Sequence, residues 1–408
     1  MRRGWCPGAL RPMQSGDGYI LRLRPRGPAL PGALLACLAD LADRYGSGCL
    51  DLTSRANLQL RGVAATALAP LQAALGALGL LDPSEAREAR RNILLSPLAG
   101  LDPTAVLDLR ALHAALDFWL AETAELSALP GKFGFGLDEG GLLRLSPDAS
   151  DLHGQAIRHR DGTRIAVFAG GVWLTTLDQR DFLPALAALT TAFLRHAAPG
   201  KRMRALVARI GASGLLAAAG VTADGIAPAI PGSPSLPRLG AWPLQALPFL
   251  LVGVPFGRMS SAQARLLADL APEIRLTPWR CLALPHALTA ADRLADAGFL
   301  LTPDAPLYAV AACPGAPACA SGTTPTQADA TALADLLPPN PVAETLLHVS
   351  GCAKGCAHPR RAPVTLVARD GAYDVVLNGT AADPPAATGL DLPRLRAFLS
   401  HRFSIPHA

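Results

Sequence analysis

The sequence predicts an α+β fold built from a duplicated unit, and three observations predict it. Short runs that alternate apolar and polar residues, the period of a half-buried strand, are interleaved with stretches whose apolar residues recur at helical spacing. That order of elements is laid out once before residue 200 and again after residue 249. The chain has 408 residues, half of them hydrophobic, enough for about two to four packed domains.

Residues 1–30 contain Cys6-Pro7-Gly8 and Pro12-Met13-Gln14-Ser15-Gly16-Asp17-Gly18, a loop-forming string. Tyr19-Ile20-Leu21-Arg22-Leu23-Arg24 alternates and reads as a strand. Leu34, Leu35, Leu38 and Leu41 mark a helix over 31–45, and Cys49-Leu50-Asp51-Leu52 marks a second strand. Thr53-Ser54-Arg55-Ala56-Asn57-Leu58-Gln59-Leu60-Arg61-Gly62 alternates again, which places Arg55, Asn57, Gln59 and Arg61 on one face of a strand. Four long polar groups there make either a solvated face or an anion-binding floor. Residues 64–82 are helical in pattern, 90–100 run from strand into loop, and a helix follows over 104–120.

Leu129-Pro130-Gly131-Lys132-Phe133-Gly134-Phe135-Gly136 opens a β-rich section that reaches residue 177, with a hairpin at Asp161-Gly162. Residues 178–196 are helical. From 211 to 248 Pro, Gly and Ala accumulate and periodicity fades, the composition of a linker. The plan then repeats: a strand at 249–254, a helix at 261–270, then 274–285 in the place of 50–62 and 288–298 in the place of 64–79. Residues 310–313 take the slot of 92–97, and 348–356 that of 129–136. Two strands at 364–367 and 373–377 and a helix over 392–401 close the chain. In this alignment paired cysteines stand only in the second copy, and Arg91 and Lys132 hold the equivalent places in the first. The expected units are 1–75 and 249–305 as smaller half-domains, 76–210 and 306–408 as larger α+β domains, and 211–248 as the linker.

Four of the eight cysteines lie in two close pairs, Cys313-Pro-Gly-Ala-Pro-Ala-Cys319 and Cys352-Ala-Lys-Gly-Cys356. Their small neighbours let backbone approach a bulky inorganic core. Thiolates are the ligands of [4Fe–4S] cubes. Zinc is the alternative, although structural zinc sites favour C-x2–4-C spacings, and a disulfide framework belongs to small secreted domains. Cys37 has the spacing of helix core, while Cys6, Cys49 and Cys281 show no pairing pattern. His159-Arg160-Asp161 spells part of a facial iron triad but sits on the hairpin turn, where charged residues are ordinary. His358 follows the cysteines closely enough to tune a metal there.

The net charge of +5 comes from arginine, since the lysines are Lys132, Lys201 and Lys354 alone. Arginine forks match carboxylates and phosphates, so a polyanionic small molecule fits, although surface charge accounts for most of them. No basic run with interleaved aromatics points to nucleic acid. The N-terminus lacks an apolar signal region, and no apolar run is long enough to span a bilayer, so a cytoplasmic protein without membrane contact is expected. No G-x-G-x-x-G or P-loop is present, so any NADH would be oxidised by a separate reductase partner.

The two cysteine pairs, the Thr-x-Arg-x-Asn-x-Gln strand, the Arg-Asn segment and the Leu-Pro-x-Lys-Phe segment, set in a duplicated chain, resemble the sulfite/nitrite reductase superfamily over nearly the whole length. The resemblance implies ferredoxin-like half-domains paired with two larger α+β domains. It also implies a [4Fe–4S] cluster on Cys313, Cys319, Cys352 and Cys356, and an anion-facing set of Arg55, Arg91 and Lys132. Cys-Pro-Gly, Pro-Met-Gln-Ser-Gly-Asp-Gly and Leu-Thr-Pro-Trp-Arg (276–280) favour the branch that serves aerobic cobalamin biosynthesis. That branch takes precorrin-3A in the place of sirohaem and uses O2 and reducing equivalents to hydroxylate C20 and close a γ-lactone. On this reading Arg55, Asn57, Gln59, Arg61 and Arg91 bind substrate and Lys132 lies near the oxidised edge, with Arg91 and Lys132 catalytic. A mononuclear non-haem iron is the expected second metal, or sirohaem if the chain is a sulfite or nitrite reductase. One departure weighs against the reductases: they carry Lys-Phe-Lys where this chain has Lys132-Phe133-Gly134, removing a proton and charge donor.

Overall fold

The computed structural model describes residues 7–223, 227, 236–338 and 344–404, arranged as four five-stranded sheets. Cys6 lies outside the described residues. The first ferredoxin-like sheet runs Met13–Ser15, Gly18–Leu23, Leu58–Val63, Cys49–Leu52, Arg258–Ser260; the second runs Gly240–Pro243, Pro248–Gly253, Cys281–Pro285, Glu273–Leu276, Ala29–Pro31. All their pairings are antiparallel. The last strand of each sheet comes from the other half of the chain: Ser260 pairs with Cys49, and Pro31 with Glu273.

Each exchanged strand leads directly into a helix, Gly32–Tyr45 or Ser261–Leu270. Ser260 and Gln263 close a capping box at the start of the second of these. The two helices pack closely because Gly32 has no side chain: a Cβ there would stand 2.5 Å from the Ala271 carbonyl oxygen. One apolar core fills the space between both sheets and helices, with Leu35, Leu38, Leu50 and Leu60 from one half and Leu250, Val252, Leu267 and Leu284 from the other.

The two α+β sheets share one topology. In the first, Ile93–Leu95, Phe135–Asp138 and Leu152–His159 are parallel and Gly162–Ala169 and Val172–Leu177 add antiparallel. In the second, Val310–Ala312, Leu347–Ser350 and Ala362–Arg369 are parallel, followed antiparallel by Ala372–Gly379 and Ala387–Leu390. Each buries one face in its own helix-packed core.

The register corrects the expected equivalence between the copies. Ile93 pairs with Phe135 and Phe135 with Leu152, while Val310 pairs with Leu347 and Leu347 with Val364. Phe135 therefore corresponds to Leu347. Arg91 and Lys132 precede their strands, whereas Cys313 and Cys352 follow theirs. The segments of the first copy that correspond to the cysteine loops are 96–102 and 139–145.

Three further expectations change. Residues 53–57 form a turn, with Thr53 Oγ accepting the Arg55 and Asn57 amides and Ala56 at φ 52°, so the strand begins at Leu58. Within 211–248 the helix Met203–Ala219 continues past a break at Gly211 (φ 72°), and Gly240–Pro243 is a strand. An Ala-rich helix shows no periodic contrast, yet Leu215 and Leu216 are buried. Cys37 is exposed, because Leu35, Leu38, Ala39 and Ala42 fill the core side of its helix.

Candidate thiolate site and its surroundings

The two cysteine loops meet at the ends of neighbouring parallel strands. Cys313 follows Val310–Ala312, and Cys352 and Cys356 follow Leu347–Ser350. The Gly351 amide donates to Cys313 Sγ at 3.1 Å, and the Thr326 hydroxyl donates to the Cys313 carbonyl. Glycines let the loops close: a Cβ on Gly351 would lie 3.4 Å from both Cys313 Sγ and Gly315 Cα, and one on Gly322 would lie 2.9 Å from the Gly315 carbonyl carbon. Burial pushes the Cys356 thiol up, and the charges of Cys352, Cys313 and Cys319 push it further. Cys356 thus shares one electrostatic neighbourhood with the other three thiols, and metal binding removes the cost of its thiolate.

Among the described residues, no three His, Cys, Asp or Glu side chains stand close enough to hold one metal ion. A tetrahedral zinc needs its thiolates within about 4 Å of one another, and an iron–sulfur cube accepts them wider apart. Four thiols, a glycine cradle and an amide aimed at a thiol sulfur fit a cluster.

The cysteine loop 313–322 is clamped to the first ferredoxin-like sheet. Arg61 donates to the Ala318 carbonyl at 2.8 Å, to Asp17 Oδ2 at 3.1 Å and to Ser15 Oγ at 3.2 Å, and lies 3.8 Å from Asp51. Asp51 in turn holds Arg258 at 2.7 Å, and Arg258 reaches Gln327. Gly16 packs against the same loop, where a Cβ would stand 2.5 Å from the Pro317 carbonyl oxygen.

Arg61 is thus 5% exposed and clamps the loop to the sheet through Asp17 and the Ala318 carbonyl. Arg91 is likewise engaged within the fold. It is buried and forked onto Asp82 (2.8–3.2 Å), with its remaining nitrogen 3.4 Å from the Pro25 carbonyl oxygen. Gln59 accepts from Arg22 at 2.7 Å, and Asn57 is buried at the end of the turn that precedes the strand. Arg55 leaves that face: its guanidinium donates to the Lys132 carbonyl at 2.8 Å. The structure therefore brings Arg55 to the Lys132 backbone, while Gln59, Arg61 and Arg91 are engaged with Arg22, Asp17 and Asp82. Lys132 is exposed and makes no ion pair among the described residues.

The other signals resolve locally. His159 pairs with Asp161 at 3.5 Å on the exposed hairpin. Cys281 is buried beside the Tyr308 hydroxyl, and burial pushes its thiol up to about 12. His358 sits edge-on to His348 with ring centroids 5.8 Å apart. His348 was not singled out by sequence. It is fully buried with both ring nitrogens unpartnered, and burial first, then His358 and Arg280, hold its pKa down at about 3. Its position three residues before the Gly-Cys step was the available signal.

Comparison with known proteins fits this architecture. Residues 11–78 match the nitrite/sulfite reductase ferredoxin-like half domain, and residues 86–224 match the nitrite and sulphite reductase 4Fe-4S domain. The chain belongs to the sulfite/nitrite reductase superfamily, a class of iron–sulfur oxidoreductases. Within it, a precorrin-3B synthase from Sinorhizobium sp is 31% identical over 404 residues, covering 95% of this chain and 85% of that protein. A ferredoxin–nitrite reductase from Synechococcus elongatus is 29% identical over 98% of this chain and 89% of its own length. The solved NirA protein of Mycobacterium tuberculosis superposes with a TM-score of 0.74 at 21% identity, over 94% of this chain and 79% of that one. No helix among the described residues is long and apolar enough to cross a membrane.

Proposed function

We propose that this chain is a monooxygenase of the precorrin-3B synthase type, which hydroxylates C20 of precorrin-3A with O2 and reducing equivalents and closes a γ-lactone. The observation that carries the reading is at Gly134. A Cβ there would stand 2.7 Å from Asn92 Nδ2, which itself donates to the Phe133 carbonyl at 2.8 Å. The second lysine of the reductases is absent here, and a side chain at Gly134 would press on Asn92 and its buried hydrogen bond. Without that second ammonium the site is short of charge and protons for taking a small oxyanion to full reduction. The similarity to a precorrin-3B synthase over most of both chains supports the same reading.

Cys313, Cys319, Cys352 and Cys356 would hold the [4Fe–4S] cluster, which supplies electrons one at a time when bound. Arg55 offers a guanidinium to the carboxylates of a polycarboxylated tetrapyrrole. Lys132, beside it, holds a positive charge and a proton at Nζ for an oxygen that becomes anionic. Electrons from NADH would arrive through a separate reductase, in the cytoplasm. The second reading, a sirohaem-dependent nitrite or sulfite reductase, draws on the similarity to the Synechococcus elongatus protein.

Anaerobic purification followed by a visible spectrum and iron, sulfide and zinc analysis separates the readings. The monooxygenase reading expects a broad cluster shoulder, about four sulfides per chain, no sirohaem bands, and gain of one oxygen atom by added precorrin-3A. Sirohaem bands would favour the reductase, and zinc without sulfide would end both.

A further inference from the structure

Behind the Cys352–Cys356 loop lies a half-buried arginine held by a left-handed backbone. Arg280 has φ 59°, a left-handed conformation uncommon for a residue with a long side chain. It ends the Thr277 turn, which the sheet register matches to the Thr53 turn of the first copy, since Leu276–Leu282 corresponds to Leu52–Leu58. Arg280 thus takes the place of Ala56, which is at φ 52°. The left-handed position belongs to the turn, and the arginine belongs to the second copy alone.

Three contacts direct this side chain. Its stem crosses Gly257, where a Cβ would stand 3.0 Å from Arg280 Cγ, so the glycine keeps the path open. Its carbonyl accepts the Val254 amide at 3.0 Å, fixing the turn. Its guanidinium donates to the carbonyl of Ala357, the residue next to Cys356. Strained backbone persists where the surrounding contacts over-determine it and is concentrated at functional sites.

We infer that Arg280 is a positioning residue for the iron–sulfur cluster: it holds the Cys356 end of the loop and places a permanent positive charge beside the thiolates. The inference rests on the cluster reading given above. A cube with four thiolates gains negative charge when reduced, so a fixed cation within its field favours the reduced state. Other basic groups near it do not duplicate this. His348 is fully buried with neither ring nitrogen partnered, and His358 turns its Nε2 to the Arg361 carbonyl oxygen at 3.3 Å. Lys354 lies on the exposed side, bonded to Ser321, and Arg61 is neutralised by Asp17.

The test compares the full-length holoprotein with Arg280→Gln and Arg280→Lys, prepared without air, by iron and sulfide content and by redox titration of the cluster signal. Arg280→Gln should shift the cluster midpoint to more negative potential, and Arg280→Lys, which keeps the charge, should recover most of that shift. An unshifted midpoint in Arg280→Gln, with or without reduced cluster content, would overturn the inference and leave Arg280 purely structural. If Arg280→Gln fails to fold, the midpoint of Arg280→Lys decides: a value near wild type supports the inference, and a large negative shift despite the retained charge overturns it. Wild-type protein lacking iron and sulfide would instead bring down the cluster reading itself.

Discussion

The loops that follow the first two parallel strands of each α+β sheet have the same place in the fold and are held by opposite means. In the first copy, Asp138 accepts the amides of Gly140 (2.7 Å) and Leu145 (2.6 Å), Asp102 accepts that of Leu142 (2.6 Å), and Ser96 Oγ accepts that of Glu139 (2.8 Å). In the second copy, segments 313–322 and 351–357 contain no acidic residue, and Ser350 takes the place of Asp138. Its hydroxyl donates to the Cys352 carbonyl. Both loops are tied to a ferredoxin-like sheet by one guanidinium on a carbonyl, Arg275 on Ala99 at 3.0 Å and Arg61 on Ala318 at 2.8 Å. The first copy's loops thus carry their own acceptors. Those of the second present four thiols instead. A duplicated scaffold becomes a cofactor site where internal satisfaction of the loop is given up.

The sharpest break in that comparison is Cys352→Ser. It should abolish iron and sulfide binding, and hydrogen exchange should then rise in 313–322 and 351–357 while 138–145 stays protected; equal loosening of both copies would contradict the contrast. Asp138→Ala comes next, leaving two buried amides unpaired at a cost of roughly 4 kcal/mol. Denaturant midpoints would read that loss, with cluster content per folded chain unchanged.

Acidity gives a third test. Burial raises Asp138 from 3.8 to about 6, outweighing the amides that favour its charged form. The folded protein then keeps a proton that the unfolded chain has already released. Stability from this group is complete below about pH 4 and lost as the pH climbs through about 6, by up to about 3 kcal/mol. Asp138→Asn should flatten that slope. The smallest expected effect is Arg61→Met, costing roughly 2 kcal/mol and lowering cluster content, whereas Arg275→Met should leave cluster content intact. Iron analysis of both variants checks it.

Much of this was legible in sequence. The helix at 261–270 and the hairpin at 161–162 follow from periodicity and turn chemistry, and the cysteine spacing marked the thiolate site. What was not legible depends on partners far along the chain. The partners of Arg61 and Arg91, Asp17 and Asp82, could not be assigned from sequence. Lys132 looked equivalent to a cysteine position because segment order alone does not reveal on which end of a strand a loop falls. Ala29–Pro31 and Arg258–Ser260 are three-residue edges, too short to carry a pattern.

Those two short edges also bear on how the molecule arose and how it is made. Two sheets that each borrow a strand from the opposite half have the arrangement left when a strand-swapped homodimer is fused into one chain. Neither half then closes its sheet when cut from the other. During synthesis the Cys49–Leu52 edge must wait for residues 258–260 before it is covered. Until then the nascent chain exposes an open β edge, the kind of surface that recruits unwanted strands.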